Sequence, residues 1–226
     1  MTLPFKDRTD AGRRLAAALA GYKDQNPVIL ALPRGGVPVA AEVAAALQAP
    51  LDLILVRKIG VPFQPELAMG AVVDGAAPVI VRNEDVLRHA GIDEAQFKTV
   101  RDHELAEIDR RRQLYLGGRP RAAVKGRTVI VVDDGVATGA TTRAALRATR
   151  QRGPKKLVLA VPVAPTDSLD ELGGDADDVV CLEQYDVFEA IGSYYRDFRQ
   201  ITDEEVIAIL KRFPPQTAAA SKQPAA

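Results

Sequence analysis

Residues 127–142 constrain this chain more than any other stretch: Arg127-Thr-Val-Ile-Val-Val-Asp133-Asp134-Gly135-Val136-Ala137-Thr138-Gly139-Ala140-Thr141-Thr142. The β-branched run Val129 to Val132 predicts a strand buried on both faces, which requires a parallel sheet covered by helices on each side. Two carboxylates follow where the strand's carboxyl end emerges. A loop of small residues comes next, and Thr141-Thr142-Arg143-Ala144-Ala145-Leu146 begins a helix. The loop therefore lies over a helix N-terminus, where unpaired N–H groups and the positive end of the helix dipole favour an anion.

The flanking sequence repeats the strand, loop, helix pattern. Asp10 to Tyr22 has helical spacing behind a candidate cap at Asp10. Pro27 to Leu32 reads as a strand, broken by Pro33-Arg34-Gly35-Gly36 before a helix over Val37 to Leu47. Leu51 to Val56 reads as another strand, ending in the adjacent cations Arg57 and Lys58 and a proline-rich loop reaching Glu66. Leu67 to Val73 and Pro78 to Val81 suit a hairpin across Asp74-Gly75. Asn83 to Leu116 is helical with a break near Gly91 and a cap at Asp93, and Gly117 ends it. Strands over Lys156 to Val161 and Asp178 to Leu182 and a last helix over Asp203 to Phe213, capped by Thr202, complete the pattern.

Alternating strands and helices predict an α/β fold with a doubly wound, mainly parallel sheet, whose ligands bind beyond the carboxyl ends of the strands. Three loops then meet on one edge: Pro33 to Gly36, Arg57 to Glu66, and Asp133 to Thr142. A length of 226 residues suits one such domain with a small addition. We expect a single domain over residues 1–213, a helical insertion at about 83–118, a small hood at about 163–198 and a disordered Pro/Ala/Gln tail at 214–226.

Lys+Arg and Asp+Glu each total 30, so no global charge draws the chain to nucleic acid or an anionic membrane. The arginines at 110–112 sit among acids and read as a solvated helix face; together with Arg119 and Arg121 they are the best support for a nucleic-acid patch, which the neutral overall charge and interspersed acids weaken. The single Cys181 has no partner for a disulfide or zinc cluster and reads as a small core residue. Without a leader-like or membrane-spanning segment, the expectation is a cytoplasmic protein.

The anion loop matches neither common nucleotide motif, since a Walker loop needs a lysine before its Ser/Thr and the dinucleotide fingerprint needs G-x-G-x-x-G. The hydroxyls of Thr138, Thr141 and Thr142 and the N–H groups from Ala137 to Thr141 suit a phosphate monoester, with Gly139 allowing close approach. Asp133 and Asp134 repel phosphate and so must face hydroxyls or a hydrated magnesium ion. A ribose 5-phosphate meets both demands.

The series strand, Asp-Asp, Gly-Val-Ala, Thr-Gly-Ala-Thr resembles the phosphoribosyl diphosphate signature of type I phosphoribosyltransferases. With Pro33 to Gly36, Arg57-Lys58, Glu66 to Ala71 and Gly192 to Phe198, the chain is similar to a bacterial subgroup of predicted phosphoribosyltransferases of unknown acceptor. The resemblance implies transfer of ribose 5-phosphate from phosphoribosyl diphosphate to a nucleobase-like acceptor, with pyrophosphate released and Mg2+ as cofactor. It implies that Asp133 and Asp134 hold the ribose hydroxyls and, through water, the metal. Ala137, Thr138, Gly139, Ala140, Thr141 and Thr142 would bind the 5-phosphate. Arg34, Gly35 and Gly36 would face pyrophosphate across a loop with a cis or strained peptide at Leu32-Pro33 or Pro33-Arg34. Arg57 and Lys58 are candidates to stabilise the leaving group beside a mobile segment, Gly60 to Pro65, that excludes water. A homodimer is the expected assembly.

One position departs from the 6-oxopurine branch of that family, where an Asp stands at the place of Ala137 and acts as a base. Glu66, Glu183, Asp186 and Glu189 are alternative sources of a base. The acceptor hood is expected from Val163 and from Tyr194, Tyr195 and Phe198, whose rings either stack on a planar base or pack in the core. Two other readings stay open: a sensor of phosphoribosyl diphosphate or nucleotides that binds nucleic acid, and a sugar-phosphate binder without turnover.

Overall fold

The computed structural model describes residues 4–75 and 78–213; the expected tail at 214–226 lies outside the described residues. Helix α1 (Arg8–Ala18) leads through a 3-10 turn into β1 (Pro27–Ala31), α2 (Gly36–Leu47) and β2 (Leu51–Leu53). Strands β3 (Val56–Val61), β4 (Gln64–Val73) and β5 (Val79–Arg82) follow, then helices α3 (Glu84–His89) and α4 (Glu94–Leu116). The chain continues through β6 (Thr128–Val132), α5 (Ala140–Gln151), β7 (Lys156–Pro165), α6 (Thr166–Leu172), β8 (Asp178–Tyr185) and α7 (Asp203–Lys211).

The main sheet runs β2-β1-β6-β7-β8 with every neighbouring pair parallel. Alternation along the strands divides the core. Ile29, Ala31, Ile130, Val132, Val158 and Ala160 pack with α1 and α2 on one face. Val28, Leu30, Val129, Val131, Leu157 and Leu159 pack with α5 and α6 on the other. This two-sided burial is what an uninterrupted β-branched run demands.

Several segments differ from the sequence reading. The first helix starts at Arg8, and its cap is Asp7, whose carboxylate accepts the Asp10 N–H at 2.8 Å. Asp7 stands in the capping position and leaves Asp10 in the first turn. The main-sheet strand at 51 ends at Leu53. Residues 57–66 are no loop: β3, β4 and β5 form a separate antiparallel sheet, with Val56 opposite Val73 and Ala71 opposite Val81. Its buried face, with Ile59, Val61 and Met69, joins Phe97 and Ile108 of α4 in one core. Gly60 allows the strands to close, because a Cβ there would stand 2.5 Å from the Pro65 carbonyl oxygen.

The first helix ends at Ala18 rather than Tyr22, and β7 and β8 run on to Pro165 and Tyr185, past the expected ends at Val161 and Leu182; the expected caps at Asp93 and Thr202 and the expected hairpin are present. Asp93 and Thr202 each form a capping box, and Gly91 takes a positive φ between α3 and α4. The hairpin pairs β4 with β5. Asp74 turns inward: it accepts the Leu55 N–H at 3.0 Å and meets Arg112 and Arg121.

Candidate active site

The sheet order reverses direction between β1 and β6, since β1 is followed by β2 on one side while β6, β7 and β8 extend on the other. Loops leaving the carboxyl ends of two such strands part to opposite faces and open a crevice. Pro33 to Gly36 and Asp133 to Gly139 are those two loops. They are in contact. Leu32 N–H donates to the Val132 carbonyl at 2.9 Å, and the Pro33–Arg34 peptide is cis, one of the two expected positions. A Cβ on Gly35 would fall 2.0 Å from Asp134 Oδ2, and one on Gly36 would fall 2.9 Å from Asp133 Cα. Only glycines let the first loop lie this close to the acidic pair.

Asp134 is 8% exposed and is held from several sides. Arg8 Nε donates to its Oδ2 at 2.7 Å, and the Arg8 Nη1 donates to the Arg199 carbonyl at 2.9 Å. The Arg8 guanidinium also lies over the Phe198 ring, 3.8 Å from its centre. Tyr195 donates its hydroxyl to the Asp134 carbonyl at 2.6 Å, and burial pushes that phenol's pKa up. Asp133 accepts the Asp134 N–H at 2.9 Å. Burial and the neighbouring Asp134 charge push the Asp133 carboxyl well above the usual range, while the Asp134 N–H and Arg8 work the other way. Sequence reasoning did not find Arg8, since an arginine in the first turn of an amphipathic helix carries no local sign of a partner 126 positions away.

The anion loop ends at Gly139, in the left-handed region at φ 72°, where it caps α5 without a side-chain hydrogen bond. The first N–H groups of α5 have no intrahelical acceptor. Thr138 and Thr141 are exposed beside them, Thr142 is buried, and Ala137 has its carbonyl bound by Ser168 Oγ at 2.7 Å. Ala137, Thr138, Gly139, Ala140 and Thr141 thus wrap one helix end that no side chain of the cap has filled.

Arg57 and Lys58 occupy consecutive positions of β3, so they point to opposite faces. Arg57 turns toward α4 and pairs with Glu104 at 2.6 Å. Lys58 pairs with Glu66 across the hairpin at 3.1 Å and lines a cavity of about 420 Å³ between the small sheet and α5. Ala140 and Thr141 line the same cavity. Arg34 reaches across to Asp203 at 3.6 Å, and Asp203 also accepts the Tyr115 hydroxyl at 2.5 Å.

The residues expected for the hood, Val163, Tyr194, Tyr195 and Phe198, share one apolar cluster with Phe5 and Ile191, in which Tyr195 reaches Asp134 and Val163 lies against Gly135. Val163 is fully buried and accepts the Val136 N–H at 2.9 Å. Tyr195 is buried between Phe5 and Phe198, and Phe198 carries Arg8. Tyr194 stacks on Phe188 at 4.9 Å and meets Tyr185 at 4.6 Å. Glu183 pairs with Arg14, and Asp186 accepts the Thr166 hydroxyl.

Among the described residues no group of three or more His, Cys, Asp or Glu side chains could hold a metal ion. Asp133 and Asp134 remain a fitting pair for magnesium, which takes one or two carboxylates and completes its shell with ligand phosphates and water. The arginines of this region are committed elsewhere: Arg110 and Arg111 of α4 to Glu107, and Arg112 of α4 with Arg121 beyond it to Asp74. Arg119 donates to the carbonyls of Leu51 and Leu210. No described helix is long and apolar enough to cross a membrane.

A family model for the phosphoribosyl transferase domain matches residues 5–199. Two Mycobacterium tuberculosis proteins, from strains CDC 1551 / Oshkosh and H37Rv and each named "Putative phosphoribosyl transferase", are 50% identical to the chain over 208 residues. The match covers 92% of this chain and 46% of each relative, so the chain spans about half their length. The crystal structure of TT1426 from Thermus thermophilus is similar with a TM-score of 0.81 and 45% identity, covering 93% of this chain and 99% of that one.

Proposed function

The chain belongs to the phosphoribosyl transferase family, and from that membership we propose that it moves ribose 5-phosphate from phosphoribosyl diphosphate to a nucleobase-like acceptor, releasing pyrophosphate. One observation carries the reading. The glycine loop at 33–36 and the acidic, threonine-rich loop at 133–142 touch at the switch point of the sheet, with Gly35 against Asp134 and Gly36 against Asp133.

In this reading the open N-terminus of α5 and the hydroxyls of Thr138 and Thr141 hold the 5-phosphate. Asp133 and Asp134 meet the ribose hydroxyls. Arg34 and the N–H group of Gly35 face the pyrophosphate, while the Gly36 N–H is donated to the Leu32 carbonyl at 3.0 Å and Gly36 keeps the loop close to Asp133. Bond breaking at the anomeric carbon leaves positive charge on the sugar and negative charge on the departing group. The fixed carboxylates favour the first, and Arg34 with Lys58 favours the second. Magnesium, when bound through Asp133 and Asp134, supplies further positive charge to the pyrophosphate. The β3–β4 hairpin, whose tip residue Phe63 is 70% exposed, is the segment proposed to close over the crevice and keep water out. Ala137 brings no acid or base to the acceptor.

Pyrophosphate release from phosphoribosyl diphosphate and magnesium, measured across a panel of nucleobases, tests the proposal. Silence across the panel, with no binding of the diphosphate by calorimetry, would overturn it. Asp134→Asn is expected to abolish transfer while inorganic phosphate still binds the α5 terminus. A sugar-phosphate binder without turnover would show no transfer in either form.

A further inference from the structure

We propose that Arg8 is a positioning residue for the ribose, holding Asp134 so that one carboxylate oxygen is presented to the sugar hydroxyls. The proposal rests on the phosphoribosyl reading of the site.

Arg8 is itself only 8% exposed and is fixed by three different contacts: the Asp134 carboxylate, the Arg199 carbonyl and the face of Phe198. A planar guanidinium held this way keeps its direction, which an ammonium on a flexible stem does not. Its Nε takes Oδ2 of Asp134, which leaves Oδ1 as the oxygen proposed to receive a sugar hydroxyl. The remaining freedom of the carboxylate is closed off by its surroundings. Gly35 lies against Oδ2 with no room for a Cβ, and the Tyr195 hydroxyl fixes the Asp134 backbone carbonyl. The arginine also offsets part of the negative charge that Asp133 and Asp134 set against an anionic sugar phosphate.

A merely structural pin between α1 and the sheet would explain the burial of the pair. It would not tie Arg8 to the hydroxyls of a ligand. That difference can be read in binding alone, without knowing the acceptor. The test compares ribose 5-phosphate with 2,3-dideoxyribose 5-phosphate, which keeps the phosphate and lacks both hydroxyls, by calorimetry on the full chain. Wild type is expected to favour ribose 5-phosphate. Arg8→Gln should lower that preference about tenfold, the value of one hydrogen bond to a charged group, and leave affinity for the dideoxy compound within about twofold. Arg8→Lys, which keeps the charge but not the fork, should recover part of the preference. If Arg8→Gln does not fold, Arg8→Lys decides: a preference below wild type supports the assignment, and one equal to wild type overturns it. Equal losses for both ligands, or an undiminished preference in the variants, would also overturn it. A wild type that binds both compounds without preference would do the same. A wild type that binds neither compound would instead overturn the phosphoribosyl reading.

Discussion

Gly35→Ala tests how tightly the two loops are joined. Gly35 has φ −62° and ψ −37°, a conformation in which alanine is favoured, and the substitution alone would stabilise by up to about 1 kcal/mol through the unfolded chain. The added methyl, however, would sit 2.0 Å from Asp134 Oδ2 and 2.5 Å from its Cγ, whereas contacts below 3.0 Å essentially never occur. The carboxylate must move by about 1 Å or the loop must retreat. A surface side chain would swing aside at little cost. Asp134 is buried and bonded to Arg8 at 2.7 Å, so moving it loosens a buried ion pair. Losing a hydrogen bond to a charged group costs about 1.5–3 kcal/mol, and an uncompensated buried charge costs about 3–5 kcal/mol. A net loss of about 2–4 kcal/mol lowers the melting temperature by about 5–15 °C for a chain of this size. Gly118→Ala is the control, since a Cβ there meets nothing within 4 Å; it should melt within about 2 °C of wild type. Differential scanning calorimetry gives the stabilities, and ribose 5-phosphate titration gives the site. Affinity should fall about tenfold in Gly35→Ala. A Gly35→Ala protein that melts and binds like wild type would refute the close contact and the argument built on it.

The two hairpin cations should separate. Arg57→Ala strips a mostly buried Glu104 of its 2.6 Å partner and should cost about 1–3 kcal/mol in urea denaturation. Lys58→Ala breaks an exposed pair, should cost under about 1 kcal/mol, and should slow pyrophosphate release; the reverse pattern would put Arg57 on the crevice side. Tyr115, buried and donating to Asp203, has its hydroxyl pushed up to about 12. Because that value lies above the unfolded one near 10, its contribution is complete below about pH 10 and is lost as pH rises toward 12. Melting temperature should fall across that window, and less steeply in Tyr115→Phe; equal slopes would remove the effect. Burial pushes the Cys181 thiol up to about 11, so at neutral pH its alkylation by iodoacetamide should be at least about a hundredfold slower than that of a free thiol. Equal rates would contradict that burial.

The legible parts of this protein are those whose cause is local. The run from Thr128 to Val132 is buried on both faces because nothing in it is polar enough to face water, and Gly139 follows because the turn into α5 needs a positive φ. The small sheet was hidden for the opposite reason. Gly60, Pro62 and Pro65 are loop formers by local rule, yet Ile59, Val61 and Met69 share a core with Phe97 and Ile108 of a later helix, and that burial sets strands around them. Once residues 57–66 are a strand pair, Arg57 and Lys58 can no longer act as one pair of cations, since neighbours on a strand face apart. The same contrast runs through the candidate site. The half proposed to face phosphate is backbone and short side chains of one loop, so its chemistry lies in consecutive residues. Its other half depends on Arg8 meeting Asp134 from 126 positions away and on aromatic rings that cover one another, Tyr194 on Phe188 and Tyr195 on Phe198. Which ring edges such packing leaves exposed follows from the fold and not from the order of residues, so the proposed donor can be argued from one loop while the proposed acceptor pocket depends on the assembled hood.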